Sequence, residues 1–403
     1  MAKLLVLWLV VFISLMGFGI TAVPFPIVAE QFHASPFWIT WGSSGVFSLF
    51  QLVATPLWGR LSDQIGRKPV LIVSLIGAFL AYVWTAYANG LIALIAARAF
   101  AGLMSGNLSA AFAYVSDITE PGNRARYLGI ISSAFGLGFA AGPVLGGQLG
   151  RMPDGTATLF APGLTAAALT IVAIVGAIFF LRESLPAEVR AQRQVAIAAS
   201  GVRTSASPFA LLGRKPVLAG LSFAALAVSC GGAAMQSIYP IWARDIFQLQ
   251  LNAIGAHFGV FACCSAFGQA ALTGILAKRM GEKNVALLAV AAVAVGLVLF
   301  ALAHSLFATW AALIVLGLGL GIFTPSVTSL VSFEAEPTNR GAVLGVFNAG
   351  SSAGRVLGPA YAGESYRHLA PGAPFLISAI LTVVGGIFLL RARTQRVART
   401  ATT

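Results

Sequence analysis

"EPGNRARYLG", residues 120–129, returns 216 positions later as "EPTNRGAVLG", residues 336–345. Other landmarks keep nearly the same register. Gly142 and Pro143 match Gly358 and Pro359, Pro24 matches Pro240, and Gly59 and Gly66 match Gly274 and Gly281 one residue out of step. One such match could arise by chance, but several in register mark a chain of 403 residues that is written twice.

Around these landmarks the chain is apolar, with 58% hydrophobic and only 9% charged residues and a mean hydropathy of +0.89. A soluble protein of this size needs a more polar surface. Stretches of about 20 apolar residues, each able to cross a ~30 Å hydrocarbon layer as a helix, recur throughout. A bilayer offers no water to bare amides, so such stretches are helices. Twelve spans are predicted near 4–28, 38–58, 69–88, 90–115, 126–150, 162–182, 215–243, 253–277, 283–303, 307–331, 341–364 and 371–391. The first is too long for a signal-peptide core and is kept as a helix of the mature protein.

The repeat divides this all-α polytopic membrane protein into an N-terminal six-helix bundle, 1–182, and a C-terminal one, 215–403, ending in a short basic tail. Residues 183–214, basic and rich in Ala, Ser and Gln, are expected to be a cytoplasmic linker with room for one amphipathic surface helix. Two halves of like topology are parallel repeats about an axis along the membrane normal. That is the architecture of secondary transporters, which rock two bundles around a midplane site.

Positive charge sets the expected orientation. Lys3, Arg60, Arg67, Lys68, Arg124, Arg126, six residues from Arg182 to Lys215, Lys278, Arg279, Lys283, Arg340 and four from Arg391 to Arg399 fall on one face. Only Arg151, Arg244 and Arg367 fall on the other. Both termini are therefore expected in the cytoplasm, and the formal net charge of +13 is assigned to lipid head groups and not to nucleic acid. Cys230, Cys263 and Cys264 all lie within spans, as small packing residues rather than a disulfide or metal set. There is no phosphate-binding loop, no metal cluster, no cofactor motif and no catalytic constellation, so the chain is not read as an enzyme.

The densest charged island, "GRLSDQIGRKPVL" at 59–71, joins spans 2 and 3. Gly59, Gly66 and Pro69 suit a tight hairpin; Arg60 and Lys68 suit a solvated basic face. Asp63 and Arg67 ask for partners. In the fifth span Gly138, Gly142, Gly146 and Gly150 sit four apart and form a smooth groove, bent by Pro143; Gly350, Gly354 and Gly358 with Pro359 repeat the device in span 11. These glycines are expected to mark the seam on which the halves slide. Polar or aromatic side chains within apolar spans are the cavity candidates: Gln51, Asn107, Gln148, Gln236, Tyr239, Gln269, Phe323 and Asn348, with Arg98 and Arg355. Charges this deep are expensive and usually functional. Such a cavity, apolar with a few amides, suits amphipathic drug-like molecules.

These motifs resemble those of the major facilitator superfamily. The 59–68 loop is similar to its cytoplasmic loop motif, "RAFAG" (98–102) to its fourth-helix motif and "GFAAGPVLGG" (138–147) to the fifth-helix motif of antiporters. "AYVSDITE" (113–120) with "RARYLG" (124–129) is most similar to the tetracycline-efflux branch of the twelve-helix drug:proton antiporters. The resemblance implies that Gly59, Asp63, Gly66, Arg67 and Lys68 form a conformational latch. In it Asp63 holds the start of helix 11, Arg67 pairs with the acid ending helix 4, here Asp117, and the outward-open state is favoured. Lys278 and Glu282 replace the Asp and Arg in the second half, so control is asymmetric. Arg98 occupies a position implicated in proton transfer. The branch's helix-1 acid is replaced by Ser14 within "SLMG". Coupling candidates therefore stay open among Arg98, Glu30, Asp245, His257 and Glu364, with Asp117 and Glu334 at inner ends.

The function implied is proton-coupled export of amphipathic drug-like molecules by alternating access, in a bacterial inner membrane, by a monomer. The alternatives are an organic-anion carrier working by symport or facilitated diffusion, favoured by Arg355, and a non-transporting sensor or scaffold on the same fold.

Overall fold

The computed structural model describes residues 2–120, 124–154, 156–185, 188, 216–333 and 340–392. Among the described residues the helices group into twelve passes. In the first half α1 comprises Ala2–Ala22 and Phe25–Gln31, and α2 comprises Pro36–Thr40, a π-helical Trp41–Gly45 and Val46–Ile65. They are followed by α3, Arg67–Ala86, α4, Leu91–Leu103 with Asn107–Ile118, α5, Arg124–Leu149, and α6, Phe160–Phe180. In the second half α7 is Pro216–Phe247; α8 is Leu251–Phe267, a π-helical Gly268–Leu272 and Thr273–Met280. Then come α9, Glu282–Ala301, α10, Leu306–Phe333, α11, Arg340–His368, and α12, Ala373–Arg391.

Among the described residues nine of these are long and apolar enough to cross a membrane. The other three have visible reasons to fall short. α2 carries Arg60, Asp63 and a Ser-Gly stretch, and α11 carries a polar stripe. α4 is broken at Met104–Gly106, where the ring of Trp58 lies against Gly106 and its Nε1 donates to the Leu103 carbonyl at 2.5 Å. The π-helical turn of α2 falls in "WGSSG", where small side chains leave room for the wider coil.

The halves repeat one packing order. α1 is embraced by α5 and α6, α3 leans on α6, and α2 pairs with α4; likewise α7 is embraced by α11 and α12, α9 leans on α12, and α8 pairs with α10. Between the halves α5 meets α8 and α2 meets α11. The apolar core is not shared evenly. The C-half core runs on into Val23, Phe25, Val28, Ile39 and Leu94 of the N-half, all near the face opposite the basic one. Separate cores lie in the N-half, a large one around Leu7, Val10, Leu71, Tyr114 and Ile131 and a small one at Tyr82, Ala166 and Ala167. The two bundles therefore fuse on the opposite face and stay distinct toward the basic face.

Two sequence expectations change here. Gly59 lies inside α2, which continues to Ile65 instead of ending near 58. A helix whose backbone is already satisfied can run past the lipid border, and Arg60 and Asp63 are compatible with helix. The turn falls at Gly66 alone, with φ of +109°. The glycine grooves also serve a different seam. Side chains at Gly138, Gly142 and Gly146 would strike the backbone of α1 at Phe12, Met16 and Ile20, and at Gly354 and Gly358 that of α7. They bind helices within one half. Most of the predicted linker (186–187 and 189–215) and the repeated loops at 121–123 and 334–339, Glu334 included, lie outside the described residues.

Candidate transport site

On the opposite face the halves are sealed backbone to backbone. Gly363 of α11 rests on the carbonyl of Pro36, leaving no room for a side chain, and Gly147 of α5 rests on that of Leu251 in α8. Gly255 in turn lies 2.5 Å, by the position a Cβ would take, from the carbonyl of Pro143. Pro359 cannot donate a backbone hydrogen bond and disturbs the ladder of α11. Thr40 enters there: its hydroxyl donates to the Pro359 carbonyl at 2.6 Å and accepts from the Gly363 amide at 3.2 Å. Trp41 Nε1 donates to the Val356 carbonyl at 3.1 Å, and the Phe37 amide donates to Glu364 Oε1 at 3.0 Å.

An ion network rims this seal. Arg244 of α7 holds Glu30 of α1 at 2.6 Å and Asp245 at 2.7 Å, and the Tyr366 hydroxyl donates to Asp245 Oδ2 at 2.9 Å. His368 Nε2 lies 3.2 Å from Glu364. Beneath the rim is a cleft of about 320 Å³ bordered by Glu30, His33, Pro36, Ile238, Tyr366 and Arg367. Glu30 and Arg244 side chains are each 33% exposed, so solvent screens them and the pair adds at most about 1 kcal/mol to folding. All of that energy acts between the halves, however. Glu30→Gln is expected to leave Tm within about 2 °C, since a surface pair carries so little stability. It is also expected to move the equilibrium toward an open rim by up to about fivefold, read as a longer distance between spin labels at residues 33 and 369.

Toward the basic face the apposition stops. A Cβ added at Gly136 would lie 2.8 Å from that of Ala266, and beyond this approach Gln269, Ile275 and Met280 are exposed. A side chain at Gly59 would meet nothing within 4 Å.

The charged island lies on this side. Arg67 is buried at the start of α3 and serves three partners: Asp117 Oδ2 at 3.0 Å, Ser62 Oγ at 2.9 Å and Asp63 Oδ1 at 2.7 Å. Asp63 itself is 55% exposed. Glu183, just past α6, accepts from the Arg67 and Lys68 amides at 2.8 and 3.1 Å, supplying the carboxylate that the positive start of α3 favours. It also occupies the space a side chain at Gly66 would need. Lys68 Nζ donates to the Ile178 carbonyl at 2.7 Å.

Between seal and opening lies a small, partly open cavity of about 50 Å³ that both halves line, with Phe18, Phe139, Phe258 and Phe261 as walls and Ser44 and Gln236 as polar points. Ser44 Oγ is buried without a hydrogen-bond partner among the described residues. Behind Phe18, Arg98 of α4 is 2% exposed, stacked 5.7 Å from the Phe18 ring and 4.9 Å from the Phe25 ring. Its Nε and Nη2 likewise find no hydrogen-bond partner.

Of the other cavity candidates, Asn348 and Arg355 are exposed on one face of α11, Gln51 is half-buried in α2, and Gln148 and Gln269 are exposed. The side chain of Asn107 lies outside the described residues. Tyr239 and Phe323 are not on a cavity wall but in the C-half core. The Tyr239 and His257 side chains share a hydrogen bond, and His257 packs 4.1 Å from the Trp310 ring. An aromatic inside an apolar helix has two buried destinations, and sequence alone does not separate them. Arg244, Glu183, Thr40 and Ser44 were missed. Arg244 had a signal, being one of three basic residues on its face; the others have types common at helix ends and in helices.

The arrangement is a two-bundle shell with one sealed end, one open end and an aromatic cavity at the junction. Residues 7–270 and 221–402 match the model of the Major Facilitator Superfamily. The chain belongs to that superfamily, a family of multi-pass membrane transporters and not of enzymes. It is similar to the class C tetracycline resistance protein of Escherichia coli, 32% identical over 342 residues that cover 84% of this chain and 83% of the other. It is also similar to human major facilitator superfamily domain-containing protein 10, at 29% identity over 92% of this chain and 80% of that one. Among solved structures it matches the human organic anion transporter MFSD10 with a TM-score of 0.70, 22% identity and coverage of 96% and 99%. A bacterial homolog of the human lysosomal transporter Spinster, inward-facing and occupied, matches with a TM-score of 0.78, 16% identity and coverage of 97% and 96%.

Proposed function

We propose that this transporter exports amphipathic drug-like molecules from the bacterial cytoplasm by alternating access, in exchange for protons. The basic face, with both termini, is cytoplasmic by the positive-inside rule, and the conformation described is inward-facing. The observation that carries this reading is the aromatic cavity at the junction, sealed from the outer face and approached between separated bundles from the basic one. Similarity to tetracycline resistance proteins over most of the chain supports export. In the outward-open state Asp63, more than half exposed here, would engage the start of α11 and latch the basic face.

Ser14 stands where that branch carries an acid, so the proton must use another group. Glu30, Asp245 and Glu364 lie at the outer rim, where the Glu30–Arg244 bond has to break before the rim can open. His257 is withdrawn into the C-half core.

An efflux-deficient bacterial host expressing the protein should survive about four- to tenfold more tetracycline or another amphipathic drug. Asp63→Asn, at matched expression, should lose that protection. Everted vesicles should lose their proton gradient when the exported drug is added. Unprotected growth across the whole drug panel would overturn export, and protection with no drug-induced proton flux would overturn coupling.

A further inference from the structure

We propose that Asn348, Ser352 and Arg355 of α11 form an anion subsite of the transport cavity, taking the carboxylate of an amphipathic organic acid. This rests on the transport reading and adds the chemical class of the cargo.

The four sides of α11 can be assigned one by one. Gly350, Gly354 and Gly358 lie against the α7 backbone. Val356 and Gly363, on the opposite side, meet Trp41 and Pro36 of α2. Two sides remain. One carries Leu357, half exposed, and continues to Tyr361, whose hydroxyl pairs with Ser378 of α12 at 2.6 Å. That side is covered in part by α12. The other carries Asn348, Ser352 and Arg355 at the i, i+4, i+7 spacing that lines up one helix face. It therefore lies on the side between α2 and α7, the helices whose Ser43, Ser44, Gln236 and Ser237 border the cavity at the junction.

Arg355 fits that placement. It is exposed though many residues from either end of its helix, as expected of a cleft wall and not of a packed core. Its Nη2 donates to Ser352 Oγ at 2.8 Å, one turn nearer the open basic face. No acid among the described residues lies within ion-pair distance of it. The rest of the interior offers no counter-charge. No Asp or Glu sits mid-span anywhere in the chain. The other deep cation, Arg98, adds a second positive charge whose Nε and Nη2 are unsatisfied. A buried guanidinium at Arg98 and a second one deep on α11, with no acid beside either among the described residues, favour a counter-charge in the space between them. A cargo that carries an acid brings that charge. Arg355 presents the planar donor fork that suits a carboxylate, with Ser352 and Asn348 as neighbouring donors. The aromatic walls at Phe18, Phe139, Phe258 and Phe261 suit its apolar body.

The test is titration calorimetry on the purified full-length protein. The probes are aryl- and indolylalkanoates (2-naphthylacetate, indole-3-butyrate), each paired with its primary amide, and inorganic phosphate at matched ionic strength. The carboxylate should bind roughly tenfold to a hundredfold more tightly than its amide, the worth of one charge-assisted hydrogen bond. Arg355→Gln should erase that preference, lowering carboxylate affinity at least tenfold more than amide affinity, and Arg355→Lys, which keeps the charge but not the fork, should retain part of it. A structural arginine would lower both affinities together. Equal binding of acid and amide by the wild type overturns the proposal. So does a preference that survives Arg355→Gln, or binding by phosphate alone. The growth assay above is independent: drug protection without carboxylate preference sinks only the subsite, and carboxylate preference without protection sinks only drug export.

Discussion

Gly363→Ala is expected to cost transport about tenfold or more while leaving the protein folded. Alanine favours helix over glycine by about 1 kcal/mol, so α11 itself gains. The added methyl group would sit on the Pro36 carbonyl of α2, a backbone atom that cannot swing aside. The clash exists only while the outer face is sealed. Overpacking of this kind costs about 1–3 kcal/mol, which is roughly a fivefold to 150-fold shift against the sealed state. Spin labels at residues 33 and 369 should report a longer distance, with unchanged helix content by circular dichroism. An unchanged distance distribution would mean that α2 and α11 do not approach this closely. Transport loss with loss of fold would mean that Gly363 serves α11 alone.

Asp117→Asn should act on stability. Arg67 and Asp117 are both largely buried at the basic face, and removing one partner of such a pair leaves a charge without compensation, at a cost of about 3–5 kcal/mol. Tm should fall by about 6–20 °C on the scale of a helical half of this size. Asp63→Asn, by contrast, should barely change it, because Asp63 is more than half exposed and its pair with Arg67 is screened. Arg67→Lys should behave like Asp117→Asn, since one ammonium cannot reach Asp117, Ser62 and Asp63 from a single planar fork. If both Asp variants lowered Tm equally, the burial assigned to Asp117 would be wrong.

The legible and the illegible differ in physical kind. Lipid demands long apolar helices, and a repeat must preserve its special residues, so twelve passes in two halves could be read from hydropathy and from "EPGNR" against "EPTNR". Arg67 and Asp117, at the start of α3 and the end of α4, were legible through the resemblance of the 59–68 loop to the family motif, which implies that its Arg pairs with the acid ending helix 4. Glu183 was not: a carboxylate capping α3 from beyond α6 looks, in sequence, like any solvated acid before a linker.

The glycine rows show the limit more sharply. Their four-residue spacing announced a close helix approach, and the approach exists, but to α1 and α7 within each half. Spacing on one helix says that a neighbour comes near and not which neighbour. Tyr239 and Asn348 divide for a similar reason: both interrupt apolar helices, yet one fills the C-half core and the other lies on the open face of α11. By itself, then, the chain's composition and periodicity determined the membrane, the pass count and the twofold plan, because those follow from solvation along a single helix. Which end is sealed, which glycines separate the halves and where Arg355 points were decided only by tertiary structure, because each depends on the rotation of one helix against another.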